Sequence, residues 1–200
     1  MTAQPRTPGG AWLALALLLA LGALAGGLAD PLRWCWQPSL AGAEPWRWWT
    51  AAWVHWSRLH LLANLAGVAA VALLGWRAGA TRADALAWAL AWPLTHLALA
   101  LQPTLQRYGG LSGVLHAGVV IVAMRLAWGA PGPRRTIGAA LLAGVALKLL
   151  LEEPWQGALR RSPGWDIAIA PAAHVAGAFA GALCAVAVAT LERLLRKPRS

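Results

Sequence analysis

Ser112 stands just behind two glycines, in the stretch Tyr108-Gly109-Gly110-Leu111-Ser112-Gly113, where a long apolar run begins. A hydroxyl in such a run needs a polar partner, and glycines cost helix stability, so the stretch is either a packing contact or the setting of a nucleophile. His116 follows four residues later, and four residues also separate His60 from Asn64, so each pair shares one helix face. His174 opens a third set with Gly177 and Gly181, two glycines spaced for close contact between helices. A serine hydroxyl is a weak nucleophile at neutral pH until a base removes its proton, and a neutral imidazole is the usual base. The tetrahedral intermediate then needs donors for its oxyanion. His60, the Asn64 amide and the backbone N–H groups around Ser112, that of Leu111 included, are the candidates. The chemistry these residue types would support is acyl transfer, with Ser112 as nucleophile and His174 as base. Gly110 and Gly113 would let the chain turn tightly.

The elements that must position them are apolar helices. Of 200 residues 59% are hydrophobic and only 12% charged, and mean hydropathy is +0.55, too apolar for an ordinary soluble domain. Six apolar stretches, at roughly 11–29, 54–75, 85–101, 111–128, 136–151 and 168–191, each approach the ~17–25 residues that cross hydrocarbon. The expected fold is an all-α membrane protein, one domain over residues 1–200. The first stretch also has the apolar core and small-residue exit of a signal peptide; a retained helix is the preferred reading, and cleavage there would leave the orientation of the other five unchanged.

Charge sets the orientation. With the N-terminus cytoplasmic, the inner segments collect Arg6, Arg77, Arg82, Arg125, Arg134, Arg135, Arg193, Arg196, Lys197 and Arg199 against Asp84 and Glu192, whereas charges in the outer segments nearly cancel. This bias puts both termini in the cytoplasm. It also accounts for the net charge of +10 without a nucleic-acid partner. Many of the fourteen tryptophans, among them Trp34, Trp36, Trp46, Trp48, Trp49, Trp53 and Trp56, crowd around the first outer loop and suit an interfacial belt better than a base-stacking platform. Helices two, four and six would all run inward, so His55, His60 and Asn64, Ser112 and His116, and His174 would share the outer half of the membrane.

Other polar residues receive plainer readings. His96 and Thr95 read as hydrogen-bonded packing residues, and Lys148 with Glu152 as an ion pair or a snorkelling lysine. Asp166 is taken as a solvated loop residue rather than a partner of His174. A metal site is not expected, since five residues turn His55 and His60 about 140° apart on a helix; no cofactor is expected either. Cys35 and Cys184 fall at different depths and are not expected to pair.

At this point the chain resembles the rhomboid intramembrane serine proteases, across essentially its whole length. The family pattern Glu-x-Trp-Arg-x-x-Thr matches Glu44, Trp46, Arg47 and Thr50; His-x-x-x-x-His-x-x-x-Asn matches His55, His60 and Asn64; Gly-x-Ser-Gly matches Gly110, Ser112 and Gly113; and His-x-x-Gly-x-x-x-Gly matches His174, Gly177 and Gly181. The resemblance implies a six-transmembrane-helix bundle and a Ser112–His174 dyad without an aspartate, in a cavity open to the outer face. His60 and Asn64 would hold the oxyanion. Two departures stand out: Ala51 sits where many members carry a further histidine, and His116 replaces a tyrosine that packs against the catalytic histidine.

Gly-Leu-Ser-Gly-Val-Leu-His is similar to the rhombosortase branch, which is associated with bacterial proteins bearing a C-terminal Gly-Gly-type sorting tail. That likeness implies a multi-pass protein of the bacterial inner membrane whose partners are the lipid bilayer and single-span substrates with a C-terminal helix. Two other readings stay open: an inactive rhomboid-like protein that binds membrane clients, and a small transporter subunit.

Overall fold

A computed structural model describes residues 9–102 and 104–196; Arg6, Lys197 and Arg199 of the charge reading lie outside them. The described residues form eight α-helices: α1 (Gly10–Gly26), α2 (Pro31–Trp34), α3 (Arg47–Thr50), α4 (Arg58–Ala78), α5 (Arg82–Leu97), α6 (Ser112–Ala127), α7 (Pro133–Leu151) and α8 (Pro171–Arg196). Short 3-10 turns join them. Two isolated bridges, Trp36 with Tyr108 and Arg160 with Ile169, occur without any strand among these residues.

Each of the six apolar stretches overlaps one of the long helices, with ends set by local caps rather than by hydropathy. α4 begins at Arg58 instead of 54 because the Ser57 hydroxyl accepts the His60 N–H and caps the helix. It ends at Gly79, whose φ of 70° closes it in the left-handed region. α5 begins at Arg82, earlier than the apolar run, because Thr81 and Asp84 form a reciprocal capping box. Pro133 and Pro171 open α7 and α8 at a position where a missing N–H costs nothing.

Three segments, Arg58–Ala78, Arg82–Leu101 and Pro171–Leu195, are long and apolar enough to cross a membrane, and Gly10–Gly26 and Ser112–Ala127 are shorter apolar helices. α7 falls in neither group and carries Arg134, Arg135 and Lys148. The outer surface is greasy in a way water-soluble helices are not: α1 exposes Leu13, Leu17, Leu21 and Leu24, and α8 exposes Phe179, Leu183 and Leu194.

α6 is the axis of the bundle, with Val114, Ala117, Val122 and Ala123 fully buried. α8 lies along it at backbone contact. A Cβ on Gly177 would overlap the Gly113 backbone, and one on Gly181 would lie 2.6 Å from the Ala117 carbonyl oxygen. α1 is packed in, not appended: Trp12 stacks on Trp88 at 4.3 Å and donates to the Val71 carbonyl at 3.0 Å. The tryptophans therefore divide. Trp36 is fully buried, contrary to the belt reading, while Trp46, Trp49 and Trp56 are exposed. Cys35 and Cys184 are both free thiols.

Candidate active site

The first turn of α8 carries His174, and the first residue of α6 is Ser112. Close contact of the two helices through Gly113 and Gly177 brings these residues together, so that Nε2 of His174 lies 2.9 Å from Oγ of Ser112. That is hydrogen-bond distance, and the geometry lets the imidazole take the hydroxyl proton. On the other side of the ring, Nδ1 of His174 lies 2.6 Å from Oε2 of Glu152, the residue that ends α7. Oε1 of the same carboxylate accepts from Nζ of Lys148 at 2.6 Å. Sequence reasoning had the Lys148–Glu152 pair but missed the imidazole on the carboxylate's other oxygen. Burial alone would raise the Glu152 carboxyl; the hydrogen bond and charge of His174, with the Lys148 ammonium, hold it below the ordinary carboxylate range.

His116 sits one turn below Ser112. Its ring stacks on that of His174, with centroids 4.4 Å apart and planes 20° from parallel, and its Nδ1–H donates to the Ser112 carbonyl at 2.7 Å. The ring thus occupies the place that the family resemblance gives to an aromatic side chain.

Across the cavity, α4 supplies His60 and Asn64, buried on one face. Nδ1 of His60 faces the Trp56 N–H at 3.4 Å, which leaves Nε2 as the ring's donor. Nδ2 of Asn64 is buried and has no hydrogen-bond partner among the described residues. Both side chains face Gly110: a Cβ there would meet the His60 ring at 2.8 Å, and its φ of 139° is one that other residues rarely adopt. Gly110 is held by its N–H to the Ala51 carbonyl at 2.9 Å and by the Tyr108 hydroxyl, which donates to its carbonyl at 3.0 Å. Burial pushes the Tyr108 phenol up to about 12, so it remains a donor. Leu111, fully buried, caps α6, and the first N–H groups of that helix have no intrahelical acceptor. Donors from three sources therefore converge beside Ser112.

The cavity between these groups measures about 700 Å³ and is lined by Trp56, His60, Asn64, Ser112, Glu152 and His174 among others. Its remaining wall is largely apolar, with Val119, Val145, Leu159 and Ile167.

Several expected residues lie elsewhere. His55 precedes α4 instead of riding on it, so the argument from helical rotation does not apply; its ring lies 4.8 Å from that of His60, and its Nδ1 faces the Trp53 carbonyl at 3.2 Å. Asp166 accepts from the Ser57 hydroxyl at 2.8 Å. His96 bonds the Trp48 carbonyl at 2.5 Å and Thr95 the Ala91 carbonyl at 2.7 Å, as packing residues do. Among the described residues no group of three His, Cys, Asp or Glu is arranged to hold a metal. The Glu-x-Trp-Arg-x-x-Thr segment ties together the loop that follows α2. Arg47 pairs with Glu44 and donates to the Leu32 and Cys35 carbonyls, and Thr50 donates to the Trp34 carbonyl.

Residues 42–190 match the family model of the rhomboid domain. The chain belongs to the rhomboid family. Rhomboids are intramembrane serine proteases acting on membrane-protein substrates, and the apolar helices make this one a multi-pass membrane protein. The rhomboid match covers the helices that supply Ser112, His174, His60 and Asn64, and begins after α1 and α2. No curated protein matches the chain.

Proposed function

We propose that this rhomboid is an active intramembrane serine endopeptidase that cleaves single-span proteins near the outer membrane face. The observation that carries the reading is the 2.9 Å contact of Ser112 Oγ with His174 Nε2, beside the unpartnered Asn64 amide. As the Ser112 Oγ–C bond forms to the substrate carbonyl, the hydroxyl proton passes to Nε2 of His174. The C–N bond then breaks and the leaving amine takes that proton. Water enters, gives a proton to Nε2, and its oxygen displaces Ser112 from the acyl group, which returns the proton to the serine. The oxyanion of each tetrahedral intermediate is held by the His60 ring, the Asn64 amide and the N–H groups at the start of α6, Leu111 among them as its cap.

An inactive client-binding relative would have no use for an imidazole on a serine and an idle buried donor, whose desolvation costs about 1–3 kcal/mol without an acceptor. A transport pathway would spread polar groups through several depths, whereas these converge on one cavity.

The six long helices are proposed to cross the bilayer with both termini cytoplasmic, in the inner membrane of a bacterium, from the charge bias and the likeness to the rhombosortase branch. The same likeness supports removal of C-terminal Gly-Gly-type sorting tails. A fluorophosphonate probe applied to membranes tests the chemistry: the parent protein is labelled and Ser112→Ala is not. Equal labelling of the two, or none of the parent, would contradict the serine assignment.

A further inference from the structure

The family resemblance implies a serine–histidine dyad, but His174 here has a carboxylate on its second nitrogen. We propose that Glu152 is a positioning residue for His174, extending the dyad to Ser112–His174–Glu152, with Lys148 fixing the carboxylate from behind. The proposal rests on the protease reading above.

Four observations carry it. The first is the chain of contacts from Ser112 Oγ through both ring nitrogens of His174 to Oε2 of Glu152, at 2.9 and 2.6 Å. A carboxylate at Nδ1 accepts the proton there, which fixes the tautomer whose Nε2 lone pair faces the serine. The second is that Glu152 is itself fixed. Its other oxygen is taken by Lys148 one turn earlier, and its backbone carbonyl accepts from Arg160 at 3.4 Å, which also pairs with Glu153. The third is local geometry: Glu153 adopts φ 48°, the one non-glycine residue with positive φ among the described residues, and turns the chain immediately past Glu152. That conformation costs roughly 1–2 kcal/mol. The fourth is burial: the Glu152 and His174 side chains are 15% and 9% exposed, so their contact is shielded, unlike the Lys148 side chain at 47%.

During turnover Glu152 stays ionised and takes no proton. It holds the imidazole in place and stabilises the imidazolium that forms when Nε2 receives the Ser112 proton. The other titratable or charged groups around that ring are His116 on α6, His60 on α4, and Lys148, Arg107 and Tyr108 on the cavity wall; α5, though packed along α8, lines none of the cavity.

The test is the rate at which fluorophosphonate labels Ser112 in the purified full chain, measured across pH with Ser112→Ala as blank. Glu152→Gln keeps the shape and loses the charge. Positioning predicts a rate about 10²–10⁴-fold below the parent near neutrality, and an acid limb moved down by about one pH unit or more, since the anion that favours imidazolium is gone. Lys148→Met separates positioning from a plain ion pair: it removes the pair but leaves Glu152 on His174, and costs no more than about tenfold. A Glu152→Gln rate within about threefold of the parent, or an equal loss in Lys148→Met, would overturn the proposal. If Glu152→Gln does not accumulate, Glu152→Asp replaces it. Its shorter side chain withdraws the carboxylate from Nδ1, with an expected loss of about tenfold or more, and a parent-like rate again overturns the proposal. Absence of any Ser112-dependent labelling in the parent would overturn the protease reading itself, and this proposal with it.

Discussion

Asn64 separates an oxyanion donor from a packing residue better than any other side chain in the cavity. Its amide is buried without a partner among the described residues, beside the His60 ring and Gly110. Asn64→Ala should lower the rate of client cleavage by about 10²–10³-fold, the usual cost of one lost oxyanion donor, while leaving the protein at parent-like levels in the membrane. Parent-like cleavage would assign the amide to packing. His116 makes a different kind of contribution, through the stack on His174. His116→Tyr preserves a ring there and should retain appreciable activity. His116→Ala should lower it through looser placement of the base, and both are read from cleavage rates. If His116→Tyr were as inactive as Ser112→Ala, His116 would be moving protons itself. Ser112, His174, His60 and Asn64 were legible in the sequence because polar residues are rare in apolar runs and these recur at helical spacing. Glu152 was not. Its contact with His174 spans 22 residues between separate helices, and a lysine four residues before it already supplied a sufficient local partner.

Helix α8 touches α6 at backbone distance. Gly177 lies against the Gly113 backbone and Gly181 against Ala117, with no room for a side chain. Gly177→Val should therefore force the helices apart, lower stability by about 1–3 kcal/mol or more, and take His174 out of reach of Ser112. Gly144→Ala on α7, where a Cβ meets nothing within 4 Å, is the matched control. Thermal unfolding in detergent together with cleavage rate checks both, and a parent-like melting temperature for Gly177→Val would contradict the described contact. The glycine spacing was readable in advance, but the partner helix was not, since spacing alone names no neighbour. Helix ends were read less well than helix positions. Counting apolar residues overlooked Ser57 as a cap and the Thr81–Asp84 box, although both signals are printed in the sequence. His55 was misplaced for the same reason, since α4 starts three residues after it.

At the scale of the whole molecule, the cavity is a chamber of about 700 Å³ among packed helices, which no folded client can enter. A regular helix shields its own carbonyls, so a client segment must unwind locally to reach Ser112. Glycine eases that by about 1 kcal/mol per residue relative to alanine. Clients should therefore carry glycine or other small residues near the outer end of the membrane helix. Membrane character was plain from composition, whereas the burial of Trp36 was hidden because a tryptophan near a loop suits an interface and a core equally. The most direct measurement reconstitutes the purified full chain in liposomes with a single-span reporter whose C-terminal helix bears a Gly-Gly pair at its outer end, and follows release of the cleaved fragment. The parent protein should release it, Ser112→Ala and His174→Ala should not, and a reporter with leucine in place of the glycines should stay intact. Cleavage by Ser112→Ala at the parent rate, or none by the parent, would contradict a protease built on Ser112 and His174.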